Sequence, residues 1–114
     1  GLMEVTAILE KALNIRAQYH KVLSGNIANV ETPNYKEKDI DFQAEIQRNI
    51  GGSNHVEIRE SSDGDVIGSI DGNTVNMENQ IVKMTENHML FTSLVQVISK
   101  KFSMMRYIIS EGRR

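Results

Sequence analysis

Residues 77–109 read MENQIVKMTENHMLFTSLVQVISKKFSMMRYII, and this stretch decides the fold. Met77, Ile81, Met84, His88, Phe91, Val95, Ile98, Phe102, Met105 and Ile109 follow alternating steps of four and three, and nine of these ten positions are apolar. Such a repeat sets them along one seam of an α-helix, the pattern of a coiled coil. Asn76 stands where it can cap the first turn, Glu78 lies near the positive end of the helix dipole, and Lys100, Lys101 and Arg106 lie toward the negative end.

Burying one aliphatic or aromatic side chain is worth roughly 1.5–3 kcal/mol, so this seam requires a partner. The nearest is at the other end of the chain. Val5, Ile8, Leu9, Ala12, Ile15, Tyr19, Val22, Leu23 and Ile27 recur at steps of three, four and seven, with no Pro and no Gly before Gly25. The spacing predicts an amphipathic helix. It should end near Asn29, because Thr32-Pro33 disfavours helical geometry before the ring and removes a donor at it.

At about 1.5 Å per residue the first helix reaches about 40 Å and the last about 50 Å, which leaves one or two turns of seam without an intrachain partner. Leu90, Leu94, Val97, Met104 and Ile108 widen the apolar stripe further. The expectation is self-association or assembly with related chains. Five of the six methionines, Met77, Met84, Met89, Met104 and Met105, lie here. Their unbranched thioethers suit either ordinary core filling or packing against chemically different neighbours.

Between the helices, the segment from 30 to 75 holds the single Pro and Gly51, Gly52, Gly64, Gly68 and Gly72. Phe42 to Ile50 reads as a short helix. His55 to Arg59 alternates polar and apolar in the manner of a strand, with Val66-Ile67 and Ser69-Ile70 as a partner across Ser62-Asp63-Gly64-Asp65. The fold expected is mainly α: long N- and C-terminal helices pairing as a coiled-coil-like bundle, with a small irregular or β-hairpin middle. Residues 2–29 and 76–112 would form one helical assembly core, and 30–75 the connecting segment.

The whole chain of 114 residues has a formal net charge of -2, which gives no basis for nucleic-acid binding. It contains no Cys, and its histidines, at 20, 55 and 88, are too far apart for a zinc motif. Asp63-Gly64-Asp65 and Asp71-Gly72-Asn73 read as turns, since neither continues into a calcium loop ending in Glu. With no nucleophile elbow, phosphate loop or acid–base pair, no enzyme, cofactor, metal or small-molecule substrate is expected. His88 reads as a tolerated polar seam position that sets register, with pH sensing as the alternative. Leu2 to Leu13, which carries Glu4, Glu10 and Lys11, does not read as a secretory signal.

One motif remains. Ser24-Gly25-Asn26-Ile27-Ala28-Asn29-Val30-Glu31-Thr32-Pro33-Asn34-Tyr35 is followed by Lys38-Asp39-Ile40-Asp41-Phe42. Asn26 and Asn29 are three apart, where buried amides can fix the register of neighbouring backbone, and Asn tolerates the left-handed conformation that ends helices. The string Asn-Ile-Ala-Asn with Thr-Pro-x-Tyr resembles the signature of bacterial flagellar rod and hook proteins. Asp39-Ile40-Asp41-Phe42 resembles, within them, basal-body rod proteins of the proximal-rod FlgB type, and Asp71 to Glu78 resembles the entry to that family's C-terminal helix.

The resemblance implies a structural subunit exported uncleaved through the flagellar type III channel to the periplasmic rod. Its implied partners are other copies, sister rod proteins and the export gate or a membrane-ring adaptor. Asn26, Ile27, Asn29, Thr32, Pro33 and Tyr35, with the ten seam residues, are then the candidate assembly positions. The competing expectation is a cytosolic coiled-coil adaptor or regulator that dimerises through the last helix.

Overall fold

A computed structural model describes residues 1–48, 55–61 and 75–112. The chain runs as α1 (Leu2–Ala28), β1 (Lys38–Asp39), α2 (Phe42–Arg48), β2 (Arg59–Glu60) and α3 (Met77–Gly112). The two long helices pack against each other as an antiparallel hairpin, since Asn26 meets Gln80 while Arg16 meets Asn87. The molecule is 70 Å long and only 25 by 18 Å across.

α1 stops where the Pro-containing segment begins. The Asn29 amide N–H donates to the carbonyls of Gly25 and Asn26 at 3.1 and 3.2 Å, and its side-chain amide returns to Gly25 at 2.8 Å. These bonds satisfy carbonyls that a helix end otherwise leaves bare. Asn29 itself has φ -106°, so the left-handed residue expected here is not Asn29. It is Asn34, with φ 64°, placed after Pro33 in a turn closed by Tyr35 N–H to Thr32 O at 3.2 Å. Pro at the second turn position and a positive φ at the third are the requirements of a type II turn.

The expected short helix is α2, whose first turn is capped by Asp41 Oδ1 accepting from Ala44 N–H at 3.1 Å. The strand expected at 55–59 is not formed over 55–58; a two-residue strand, β2, forms instead at Arg59–Glu60 and pairs antiparallel with β1, Lys38 facing Glu60 and Asp39 facing Arg59. The partner expected from Val66 to Ile70 lies outside the described residues. Ile15, Val22, Ile40 and Val56 form the apolar core, with Tyr19, Phe42 and Ile46 packed on it. That core joins the second half of α1 to the connecting segment.

α3 begins with the expected cap, Asn76 Oδ1 accepting from Asn79 N–H at 3.2 Å. Its rotation about its own axis differs from expectation. The residues turned inward are Gln80, Met84, Asn87, Phe91, Leu94, Ile98, Lys101 and Met105, again in steps of four and three. Met84, Phe91, Ile98 and Met105 belong to the anticipated seam, whereas Met77, Ile81, His88, Val95, Phe102 and Ile109 are exposed. The reason lies in α1, where Asn26 and Arg16 need polar partners. An unsatisfied buried group costs about 1–3 kcal/mol, so Gln80 and Asn87 win the inward positions over Ile81 and His88.

Candidate functional site

Asn26 is fully buried, and every hydrogen-bonding position on its amide is engaged. Its Nδ2 donates to Lys38 O at 2.8 Å and to Gln80 Oε1 at 3.0 Å. Its Oδ1 accepts from Lys38 N–H at 3.0 Å and from the Tyr35 hydroxyl at 3.4 Å. The side chain therefore acts as a second peptide beside β1, with the backbone of β2 on the other side of the strand. Gln80 continues the chain of bonds, donating from Nε2 to Glu37 Oε1 at 2.7 Å, and Lys83 Nζ reaches the same oxygen at 2.7 Å. Glu37 is thus a buried carboxylate held between an amide and an ammonium. This clasp ties α1, the connecting segment and α3 together.

The other motif residues shape the chain around it. Thr32 Oγ1 donates to Asn29 Oδ1 at 3.1 Å, Pro33 presets the turn, and Tyr35 is half-buried with Lys38 Nζ 5.6 Å from its ring centre. Ile27 is half-buried, and Thr32 and Pro33 are on the surface.

Ten residues back along α1 stands a second cross-helix contact. Asn87 Nδ2 donates to Arg16 O at 2.9 Å, and Arg16 Nη1 donates to Asn87 Oδ1 at 3.3 Å. The Arg16 guanidinium carbon lies 3.9 Å from the centre of the Phe42 ring, a cation–π contact. Burial lowers the Arg16 pKa, with a smaller opposing influence from Tyr19, and burial pushes the Tyr19 phenol up, opposed chiefly by Lys83. At the periphery Arg48 joins Glu45 and Glu57, hydrogen bonds that raise its pKa, and Arg59 bridges Asp39 and Asp41.

Gln80, Glu37, Lys83, Arg16 and Asn87 were not anticipated from the sequence. A signal for two of them existed: Gln80 and Asn87 are one heptad apart, beside the apolar seam, where polar side chains with no partner on their own helix call for one on the next.

The open half is built differently. Ile98 is the last buried residue of α3. Beyond it Phe102, Met104, Tyr107, Ile108 and Ile109 are all exposed, Met104 by 53% and Tyr107 by 66%. At 100° per residue these positions spread over more than half of the helix circumference and leave a polar stripe of Ser99, Ser103, Arg106 and Ser110. Exposed Met77, Ile81, Val82, Met89, Leu90, Val95 and Val97 extend this surface back along α3, and Met3, Val5 and Ile8 add to it from α1. Within the same half, Lys11 Nζ and Asn14 Nδ2 are buried without a hydrogen-bond partner. Among the described residues no cluster of three or more His, Asp or Glu could hold a metal ion, and no helix is long and apolar enough to cross a membrane.

These features define an elongated helical hairpin, locked at its closed end and left with exposed apolar surface at its open end. No protein-family model matches the chain. It is 30% identical to the flagellar basal body rod protein FlgB of Cereibacter sphaeroides over 117 residues, which span 90% of this chain and 91% of the relative. It is 29% identical to the FlgB protein of Salmonella typhimurium over 125 residues, with 90% and 91% covered, and 26% identical to that of Bacillus subtilis over 119 residues, with 92% of each covered. The chain belongs to the family of flagellar basal body rod protein FlgB. That membership places it in the rod of the flagellar basal body.

Proposed function

We propose that this chain is a non-catalytic structural subunit of the proximal rod, joined through its terminal helices to copies of itself and to sister rod proteins. Residues 2–29 and 76–112 act as the assembly core, and 30–75 connects them. The observation that carries this reading is the C-terminal part of α3, which extends past its partner helix with Phe102, Met104, Tyr107, Ile108 and Ile109 exposed. At roughly 1.5–3 kcal/mol for each large side chain that becomes covered, neighbouring subunits supply a strong drive to assemble. Export through the flagellar type III channel, a periplasmic position and contact with the export gate or a membrane-ring adaptor follow from the same reading.

In this reading the seam residues divide their work. Met84, Phe91, Ile98 and Met105 hold α3 to α1, while Met77, Ile81, Val95, Phe102 and Ile109 meet neighbours. The motif residues Asn26, Asn29, Thr32, Pro33 and Tyr35 serve assembly indirectly, by fixing the angle at which the helices leave the closed end, and Ile27 borders that contact.

The absence of native Cys makes the test direct. Single cysteines replacing Phe102, Met104 or Ile108 should give oxidative cross-links to neighbouring subunits in isolated basal bodies, and Phe102→Asp with Ile108→Asp should abolish motility while leaving the purified monomer folded. Wild-type motility of that double variant, or a chain that sediments only as a discrete cytosolic dimer, would remove the rod assignment for this surface.

A further inference from the structure

α3 has two exposed apolar flanks, and they differ in charge. Residues two apart on a helix stand about 200° apart around it and about 3 Å apart along it, so Glu86 and His88 face opposite ways at one height. Exposed Ile81, Val95 and Phe102 share the His88 flank. Exposed Val82, Leu90 and Val97 surround Glu86 on the other.

The His88 flank contains a hollow of about 260 Å³ between α1 and α3, lined by Arg16, Ala17, His20, Asn87, His88 and Phe91. Its charged and titratable side chains are Arg16 and His20 from α1 and His88 from α3, and no Asp or Glu lines it. Arg16 donates to Asn87 Oδ1 at 3.3 Å and rests on the Phe42 ring of α2, and it has no carboxylate partner. Sites for drug-sized ligands run to roughly 300–1,000 Å³, so this hollow suits a single side chain. A guanidinium flanked by two imidazoles, each able to donate an N–H, is matched by a carboxylate.

Glu86 offers one. It is exposed, forms no ion pair, and is the single carboxylate of α3 between Glu78 and Glu111. Lys83, one turn before it, gives its ammonium to Glu37 at 2.7 Å. Lys100, on the same side of α3, is about 21 Å further along the helix, beyond a screening length of about 8 Å at physiological salt.

We propose that these flanks meet between copies of the chain: Glu86 of one copy seats against Arg16, His20 and His88 of the next, with the two hairpins parallel, side by side and nearly in register. This contact rests on the rod reading given above, in which copies of the chain adjoin. A two-fold pair sets one patch against itself, which here puts cation against cation or carboxylate against carboxylate. The contact of opposite flanks pairs unlike charges and leaves one flank free on each outermost copy, so the row continues. Apolar side chains around both groups supply burial, and the charges supply register and direction.

The variant His88→Lys keeps a cation on the rim of the hollow and adds an amine. In basal bodies isolated with that variant, a water-soluble carbodiimide activates a carboxylate in contact with the amine; the amine then forms an amide and the reagent leaves as its urea. Covalent rows of two, three and more chains are expected, joined between residues 86 and 88 by mass spectrometry and lost when Glu86→Gln is added. The variant His20→Lys approaches the same contact from α1 and should also link to Glu86. No linkage from either lysine, linkage from either that survives Glu86→Gln, or dimers that never extend would overturn the proposal. If cysteines at 102 or 108 still cross-link in basal bodies in those cases, the rod reading stands and only this lateral contact falls.

Discussion

In the closed half of the hairpin, from Ile15 to Ala28 on α1 and from Met77 to about Asn87 on α3, apolar side chains converge on Ile15, Val22, Ile40 and Val56, and the buried amides of Asn26, Gln80 and Asn87 are hydrogen-bonded. In the open half the same two helices leave Phe102, Met104, Tyr107, Ile108 and Ile109 in water and bury Lys11 Nζ and Asn14 Nδ2 without partners. The difference separates two tasks. One half contains what is needed to define a shape, and the other half leaves apolar surface exposed, which neighbouring subunits complete in the function proposed above. A helix pair of uniform quality would either bury its whole length in the monomer or have no fixed end from which to build.

The largest effect that can break this contrast is a cavity in the closed half. Ile15 is fully buried in the core, so Ile15→Ala should destabilise the monomer by about 2–5 kcal/mol, read from the denaturation midpoint. Phe102→Ala in the open half should change monomer stability by no more than about 0.5 kcal/mol. Equal losses from the two would show that the open half is packed as firmly as the closed one.

Much of this arrangement was legible in the sequence, because helix formation leaves a periodic record and Pro, Gly and Asn punctuate it. The ends of α1, the Asn76 cap, α2 and the unequal lengths of the long helices all follow from residues close together in the chain. The rotation of α3 does not. Apolar periodicity ranks faces by how greasy they are, and the face carrying Ile81, Val95 and Phe102 outranks the one carrying Gln80 and Asn87. The polar face turns inward because Asn26, Glu37 and Arg16, distant in sequence, offer it hydrogen bonds. The pairing of β1 with β2 was hidden for a related reason, since strands of two residues hold no period. The motif from Asn26 to Tyr35 announced itself as a unit, yet its reach to Lys38 and Gln80 needed the third dimension.

A smaller effect sharpens the role of that motif. Asn26→Ala removes the bonds to Lys38 and Gln80 and leaves the Lys38 peptide and Gln80 side chain short of partners, so a loss of about 2–3 kcal/mol is expected. Because the clasp holds the connecting segment to both helices, the variant should also lose hydrogen-exchange protection at Lys38 and Ser61 before it does so along α1. A loss confined to α1 would mean that the amide serves the helix alone.

The smallest effect marks where the closed half ends. Arg16 and Asn87 form the last polar contact between α1 and α3 before the apolar stretch toward Ile98, and the guanidinium also rests on Phe42. The Asn87 side-chain donor goes to a backbone oxygen that survives any substitution of Arg16, so Asn87→Ala removes both contacts whereas Arg16→Ala removes only one, together with the stacking. A double-mutant cycle should therefore give a coupling of only about 0.5–1 kcal/mol between the two side chains, with Asn87→Ala costing more than that coupling alone. A coupling near zero would move the boundary of the closed half down to the Asn26 and Gln80 pair. A coupling of several kcal/mol would extend the polar clasp to the middle of α1, and the surface left for neighbours would begin one heptad further along α3.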